Sequence, residues 1–388
     1  MKNILTDAEY GMTRRGFLKM AAGAAAGAAF LQFPFHVSAA SLMKREIRPI
    51  AFKDLPAKAE AAAEDSPLIH KAYEAVLKYA GDIEDRSLRG QVLDLIRNPD
   101  PTFMQEYRGN SAAVTRTYNR LVDLKVIDPS KMSADQLFPP INGKIQGFLT
   151  APGSGYGSHH PYPGGLCTHV NSNLHITKYI CDTYEEVFGY SVHRDIAIAG
   201  QCLHDIEKPY VFQWKANGES FKEYNIGGQG AHHVLSIAES LYRGLPAEEI
   251  VAQACAHAAP TSAKDEADVV SWLKAAAIIT GKDPVKYGLL RADGEGLPAP
   301  HKQEGYIVHL GDHDWVLSVP ASQKTIKNLA DIAREDYGMN DDDMKNGHFQ
   351  AFRNYIGAQV AFMYLNFLSA EPNGKEQVRT AVHQIVLR

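Results

Sequence analysis

Cysteine is scarce in this sequence: four residues in 388 (Cys167, Cys181, Cys202 and Cys255), with no CxxC pair among them. That spacing supports neither a zinc ribbon nor a thioredoxin-type motif. A surplus of positive charge is also missing, since 40 Lys and Arg against 45 Asp and Glu leave a formal charge of −5. Such a balance gives no electrostatic footprint for nucleic acid. There is no glycine-rich phosphate loop, no internal repeat, and no low-complexity tract beyond an alanine-rich stretch near the start. Few segments alternate with period two, so the sequence is read as all-α. What remains is ordinary globular composition, 45% hydrophobic and 22% charged, with length enough for one large domain or two ordinary ones.

The early residues have parts of their own. "TRRGFLK" (Thr13–Lys19) precedes the short, weakly apolar run "MAAGAAAGAAFLQFPF" and the small residues of "HVSAAS". This order resembles a twin-arginine export signal, with cleavage expected near Ala39 or Ala40. An Ala/Gly-rich run this short makes a poor spanning helix, and no cysteine follows it to carry a lipid. The resemblance implies the twin-arginine translocation machinery as a partner, a periplasmic or otherwise exported location, and a mature protein without a transmembrane span. Export by that route carries folded proteins, often ones already loaded with a cofactor.

Four regions are expected: the signal (1–40), an N-terminal helical region (41–145), a central region (146–320) and a C-terminal helical region (321–388). Ala57–Arg97 has helical periodicity broken at "GD", and Ser111–Val126 reads as another helix. In the central region the helical segments are Leu166–Phe188, Asp195–Glu207, Gly230–Arg243, Ala247–His257 and Gly305–Leu317. Asp283–Glu304, rich in Gly and Pro, reads as a long loop or insertion. Past Pro320, "TIKNLADIAREDY" and "HFQAFRNYIGAQVAFMYLNFL" continue the helical character.

The central helices carry polar residues in a distinctive order: His169, then adjacent His204 and Asp205, then His232, His257 and Asp312. Imidazole and carboxylate suit zinc, iron, manganese or nickel, and helices can aim such side chains at one point. Neighbouring residues on a helix diverge by about 100°, so His204 and Asp205 do different work, and a carboxylate can bridge two ions. Cys167, Cys202 and Cys255 each precede one of these histidines by two. Residues two apart point about 200° from each other, so a histidine facing an ion turns its cysteine away, into packing behind the helices.

The series resembles the HD-domain superfamily of metal-dependent phosphohydrolases. "PYPGGLCTH" is similar to the family's GGLxxH segment, "RDIAIAGQCLHDIEKP" to its "AGLLHDIGKP" helix, and "HHVLSIAESLYRGLP" to its third-helix pattern; the likeness covers roughly Ser158–Leu317. It implies an HD helical bundle flanked by additional helical regions. His232 and His257 stand where dinuclear members place ligands to a second metal. The implied ligand set is therefore His169, His204, Asp205, His232, His257 and Asp312, holding two divalent or transition metal ions with Asp205 between them. His233 is an alternative to His232, and His309 or Asp314 to Asp312. His175, six residues past His169, should point away from it.

Lys208 follows Asp205 by three, as in the family's HDxGK motif, and can reach a substrate oxyanion or close a helix C-terminus. Pro209 should then stop the helix. Glu207 stands where the family has glycine, and a glutamate projecting into the site would put phosphate recognition in doubt. Around "SHHPYPGGLCTHV", Gly164 and Gly165 permit the turn into the ligand helix. His160 is read as a contact to the substrate or to the metal ligands' supporting groups, or as an exposed loop histidine, and His159 is left unassigned. The leading expectation is metal-dependent hydrolysis of a phosphate ester or nucleotide by metal-activated water, with Asp205 and Lys208 catalytic and a small phosphorylated substrate. The alternatives are a mixed-valent di-iron oxygenase resembling myo-inositol oxygenase, and a non-catalytic metal- or ligand-binding protein. No GYP signature follows the HD helix.

Overall fold

A computed structural model of the chain describes residues 45–141, 144–299 and 302–388. The segment read as an export signal, with Ala39 and Ala40, lies outside the described residues. The fold is all-α. Strand structure among the described residues is confined to two short pairs: Ile50–Ala51 beside Val386–Leu387 in parallel, and the hairpin Asn225–Ile226 with Gln229–Gly230. No helix among the described residues is long and apolar enough to cross a membrane.

The helix Gly165–Phe188 is central. It packs against Pro67–Gly81, Arg194–Leu203 and Lys302–Gly311. Ala247–Ala254 lies on the latter two, and Ala231–Tyr242 joins this group through Ala247–Ala254 and Ala263–Thr280. Local chemistry fixes several starts. The Ser66 hydroxyl accepts from the Ile69 amide, Asp85 from the Leu88 amide and Asn110 from the Ala113 amide, so each satisfies an otherwise orphaned N–H at a helix N-terminus. The turn before the central helix needs its two glycines. Gly164 has φ +77°, and a Cβ on it would collide with Ile69, while one on Gly165 would collide with the His160 carbonyl.

The chain departs from its sequence reading in four places. Ala263–Thr280, absent from the expected helices, is among the longest. It is buried on more than one side (Val269, Val270, Trp272, Leu273 and Ala275–Ala277), which blurs any single apolar stripe. The Asp283–Glu304 segment holds the short helix Pro284–Tyr287 and the start of Lys302–Gly311. The HD helix ends at Leu203, before the His-Asp pair, and Pro209 does not stop it. Pro209 instead sits in the first turn of a separate helix, Lys208–Val211, where its missing N–H has no helical partner to lose. Finally, Trp315–Tyr337 runs straight through Pro320, the position expected to divide the central and C-terminal regions.

The N- and C-terminal helices meet on one side of the central group. His348–Val360 packs on Ala59–Glu64 and Pro67–Gly81. The Ser66 hydroxyl donates to the Ala358 carbonyl at 2.7 Å, tying the two ends of the chain together.

Candidate metal centre

Four helix ends and one helix interior bring the histidine–aspartate series to a single buried point. His169 lies in the first turns of Gly165–Phe188, and His204 and Asp205 follow Leu203. His232 opens Ala231–Tyr242, His257 lies just beyond Ala254, and Asp312 follows Gly311. Gly311 lets Asp312 come close, because a Cβ there would collide with Thr177 and Gln201.

Asp205 is at the middle. Its Oδ2 lies 3.1 Å from His169 Nε2, 3.2 Å from His204 Nε2 and 2.5 Å from Lys208 Nζ. Its Oδ1 faces the other way, 3.3 Å from His232 Nε2. Asp312 Oδ1 is 3.1 Å from His169 Nε2 and 3.2 Å from His204 Nε2, while its Oδ2 is 3.6 Å from His257 Nε2. Two groups of donor atoms gather within 4.8 Å of one another: His169, His204 and Asp205, and then Asp205, His232 and His257. Asp205 belongs to both.

The donor set fits metal ions. His204 Nδ1 donates to the Gln201 carbonyl at 2.9 Å and His232 Nδ1 to Glu223 Oε1 at 2.5 Å. Each bond fixes the tautomer and turns the Nε2 lone pair inward. His169 and His204 then present Nε2 atoms 3.4 Å apart, facing two carboxylates, and neither Asp205 oxygen makes a well-formed hydrogen bond. Imidazole nitrogens and buried carboxylates converging on one point are the arrangement that a cation relieves.

Charge in the cluster is strongly coupled. Burial alone would lower the His204 pKa, but Asp205 and Asp312 outweigh it and lift the imidazole to about 10. Burial would raise Asp205 and Asp312, yet His204 holds both well below the usual carboxylate range, aided by Lys208 at Asp205 and by His169 at both. His257 is lowered to about 4, mainly by burial.

The sequence alternatives separate cleanly. His232, not His233, faces Asp205. His233 is fully buried behind it, stacked on His257 at 4.2 Å and edge-on to Trp272, and both its nitrogens lack partners. His309 spends Nδ1 on the Ala256 carbonyl at 2.8 Å, and His175 meets Tyr79 at 3.0 Å on the surface. Glu207 does not enter the site. It is fully buried, its pKa raised well above normal by burial first and then by the charge of Glu239, with Arg243 and Asp100 its other charged neighbours. The four cysteines are buried, and none belongs to either donor group.

The loop histidines are more built-in than the sequence suggested. His160 is buried, not exposed, and sits at φ +46°, a conformation costly for a residue with a Cβ. Its Nε2 pairs with Asp314 Oδ2 at 2.7 Å and its Nδ1 meets the Tyr162 hydroxyl at 3.1 Å. Both ring nitrogens are thus engaged within the protein, and with Asp314 and His169 this residue forms a third potential donor group. His159 Nε2 lies 3.2 Å from Lys208 Nζ, which also forms an ion pair with Asp205 and donates to the Gly153 carbonyl. Lys208 is therefore held inside the site rather than at an exposed helix end.

Several neighbours escaped the sequence reading. Asn173, one turn after His169 on the same helix face, donates to Asp312 Oδ1 at 2.9 Å, a placement its i+4 spacing could have signalled. Glu223, in the irregular segment before the hairpin, gave no signal at all. Asp314, weighed as a ligand, pairs with His160.

Known proteins resemble this chain over part of its length. It is 31% identical over 184 residues to a dihydroneopterin 2′,3′-cyclic phosphate phosphodiesterase of Methanocaldococcus jannaschii, covering 47% of this chain and 59% of that protein. It is 33% identical over 95 residues to the 3′-5′ exoribonuclease YhaM of Bacillus pumilus, covering 24% of this chain and 29% of that protein. No family model and no solved structure matches. The chain therefore spans less than two thirds of the length of either relative, both of which are named for cleaving phosphodiester bonds.

Proposed function

We propose that the protein is an HD-type, metal-dependent phosphohydrolase acting on a phosphodiester, with a dinuclear centre. The observation that carries this reading is the two-sided environment of Asp205, Oδ2 toward His169 and His204 and Oδ1 toward His232. His169, His204, Asp205 and Asp312 would hold one ion, and Asp205, His232 and His257 the other. Bound there, two metals lower the pKa of coordinated water and offset negative charge on a phosphoryl group. The printed activities of the two relatives support phosphodiesters as the substrate class.

The protein's own groups do the rest. Lys208 carries its ammonium beside Asp205, where it neutralises part of the carboxylate charge and can reach a phosphoryl oxygen. His159 borders that ammonium from the loop side. The His160–Asp314 pair fixes the loop that carries both histidines, and Glu223 orients His232. Glu207, turned toward Glu239 and Arg243, leaves phosphate recognition unimpeded.

The test is a phosphoester panel run with the wild type and Asp205→Ala, alongside metal analysis. Hydrolysis of phosphodiesters by the wild type, abolished together with metal binding in Asp205→Ala, is expected. A di-iron spectrum without hydrolysis of any phosphoester would sink the reading in favour of oxygen chemistry, and full metal occupancy in Asp205→Ala would refute the bridging role.

A further inference from the structure

A cavity of about 460 Å³ lies between the loop that leads to His159 and the segment that ends at Glu223. Its lining touches the metal cluster's supports on two sides. Ser158 contacts His159 Nδ1 at 3.3 Å, and Glu223 accepts from His232 Nδ1 at 2.5 Å. Phe212, also in the lining, packs toward His232 with ring centroids 5.9 Å apart. The cavity thus borders the site, and Lys222 on its wall is exposed and has no ion pair among the described residues.

Tyr156 stands in this lining with 51% of its surface exposed. Beneath its ring, 4.1 Å from the centroid, is the Arg353 guanidinium, contributed by the C-terminal helix His348–Val360. Arg353 is almost completely buried, forms no ion pair among the described residues, and leaves Nε and Nη1 without hydrogen bonds. It donates through Nη2 to the Pro161 carbonyl, next to His160, and lies 5.6 Å from the Phe362 ring. Burying a guanidinium without an ion-pair partner is costly, and the charge of Glu219, in the cavity lining, offsets only part of that cost. What this one gains is a cation–π grip on a half-exposed tyrosine and a hold on the histidine loop. An aromatic ring fixed from below, presenting surface at the rim of this cavity, is suited to stacking against a flat partner.

We propose that this cavity receives the leaving group and that Tyr156 is its stacking platform, so that the substrate is a phosphodiester of an alcohol bearing a planar heteroaromatic ring, as in a nucleoside. The proposal rests on the phosphohydrolase reading for its chemistry, but the contact at Tyr156 is its own. Stacking of this kind is worth about 5- to 150-fold per ring.

The experiment compares adenosine 2′,3′-cyclic phosphate with glycerol 1,2-cyclic phosphate, which offers the same reacting group without a ring, in the wild type, Tyr156→Ala and Tyr156→Phe. Tyr156→Ala should lose about ten-fold or more in kcat/KM on the adenosine substrate, chiefly through KM, and change less than about two-fold on the glycerol substrate. Tyr156→Phe, which keeps the ring, should behave as the wild type on both. Equal losses on the two substrates, or no loss on the adenosine one, overturn the platform. If the wild type hydrolyses neither, the phosphoester panel decides the phosphohydrolase reading, and calorimetry with adenosine 2′-monophosphate decides the platform alone. Weaker binding in Tyr156→Ala sustains it, and equal or absent binding in the wild type and variant overturns it.

Discussion

Replacing Glu223 by Gln probes the second half of the proposed centre without touching a ligand. The carboxylate accepts from His232 at two points, Nδ1 at 2.5 Å and the backbone amide at 2.8 Å, and His232 keeps it ionised despite its burial, below its ordinary pKa. Gln preserves the shape and one acceptor oxygen but removes the charge. A charge-assisted hydrogen bond contributes about 1.5–3 kcal/mol and a neutral one about 0.5–1.5 kcal/mol. The difference, on the order of 1–2 kcal/mol, is a 5- to 30-fold weakening of whatever His232 Nε2 holds, in the range seen when such supporting groups are lost elsewhere. His169, His204 and Asp312 do not touch Glu223, so one ion should weaken and the other stay. Chelator titration followed by metal analysis reads this directly: Glu223→Gln should release one equivalent at a chelator concentration that strips the wild type of none. Simultaneous loss of both ions, or titration indistinguishable from the wild type, would refute the division of the cluster into two sites.

Two further outcomes follow from packing and burial. Glu249 is fully buried, its carboxylate without a hydrogen bond, and burial raises its pKa from 4.5 to about 8. The folded state therefore keeps a proton that the unfolded chain releases, so stability falls as pH rises from about 4.5 to 8, by up to about 5 kcal/mol in total. Glu249→Gln removes that dependence, and its melting temperature should exceed the wild type's by a margin that grows between pH 5 and pH 8.5; parallel curves would contradict the assignment. At Gly357 a Cβ would sit 2.7 Å from Tyr162 Cβ and 2.8 Å from Phe362 Cε1. Gly357→Ala should cost about 1–3 kcal/mol of stability, measured by denaturant unfolding, and an unchanged midpoint would show that the helix can shift away from the histidine loop.

The convergence of the histidine–aspartate series and the glycine turn were legible because each has a local sequence signal. Gly165 is dictated by backbone clashes within a dozen residues and Gly164 by its own φ of +77°, and the helices around His169, His232 and His257 announce themselves by periodicity. The choice of His232 over His233 was also within reach, since adjacent helical residues cannot face the same point. What stayed hidden depends on contacts between distant segments. Glu207 looks like an intruder beside the HD pair until the fold shows it turned toward Glu239. Asp314 looks like a spare ligand until it meets His160, 154 residues earlier. Glu223 and Arg353 sit in segments without a motif, and only the folded chain brings one to His232 and the other beneath Tyr156. The helix Ala263–Thr280 was missed because burial on several sides erases the stripe that amphipathic reading seeks.

The central claim is a two-metal centre bridged by Asp205 that hydrolyses phosphodiesters. Metal content per chain, measured on protein purified without added metal and matched to phosphodiesterase activity in the same preparation, tests it most directly. The account predicts activity that rises with occupancy toward two equivalents in the wild type, and neither metal nor activity in Asp205→Ala. Full activity at one equivalent, or activity that survives removal of all metal, would contradict it.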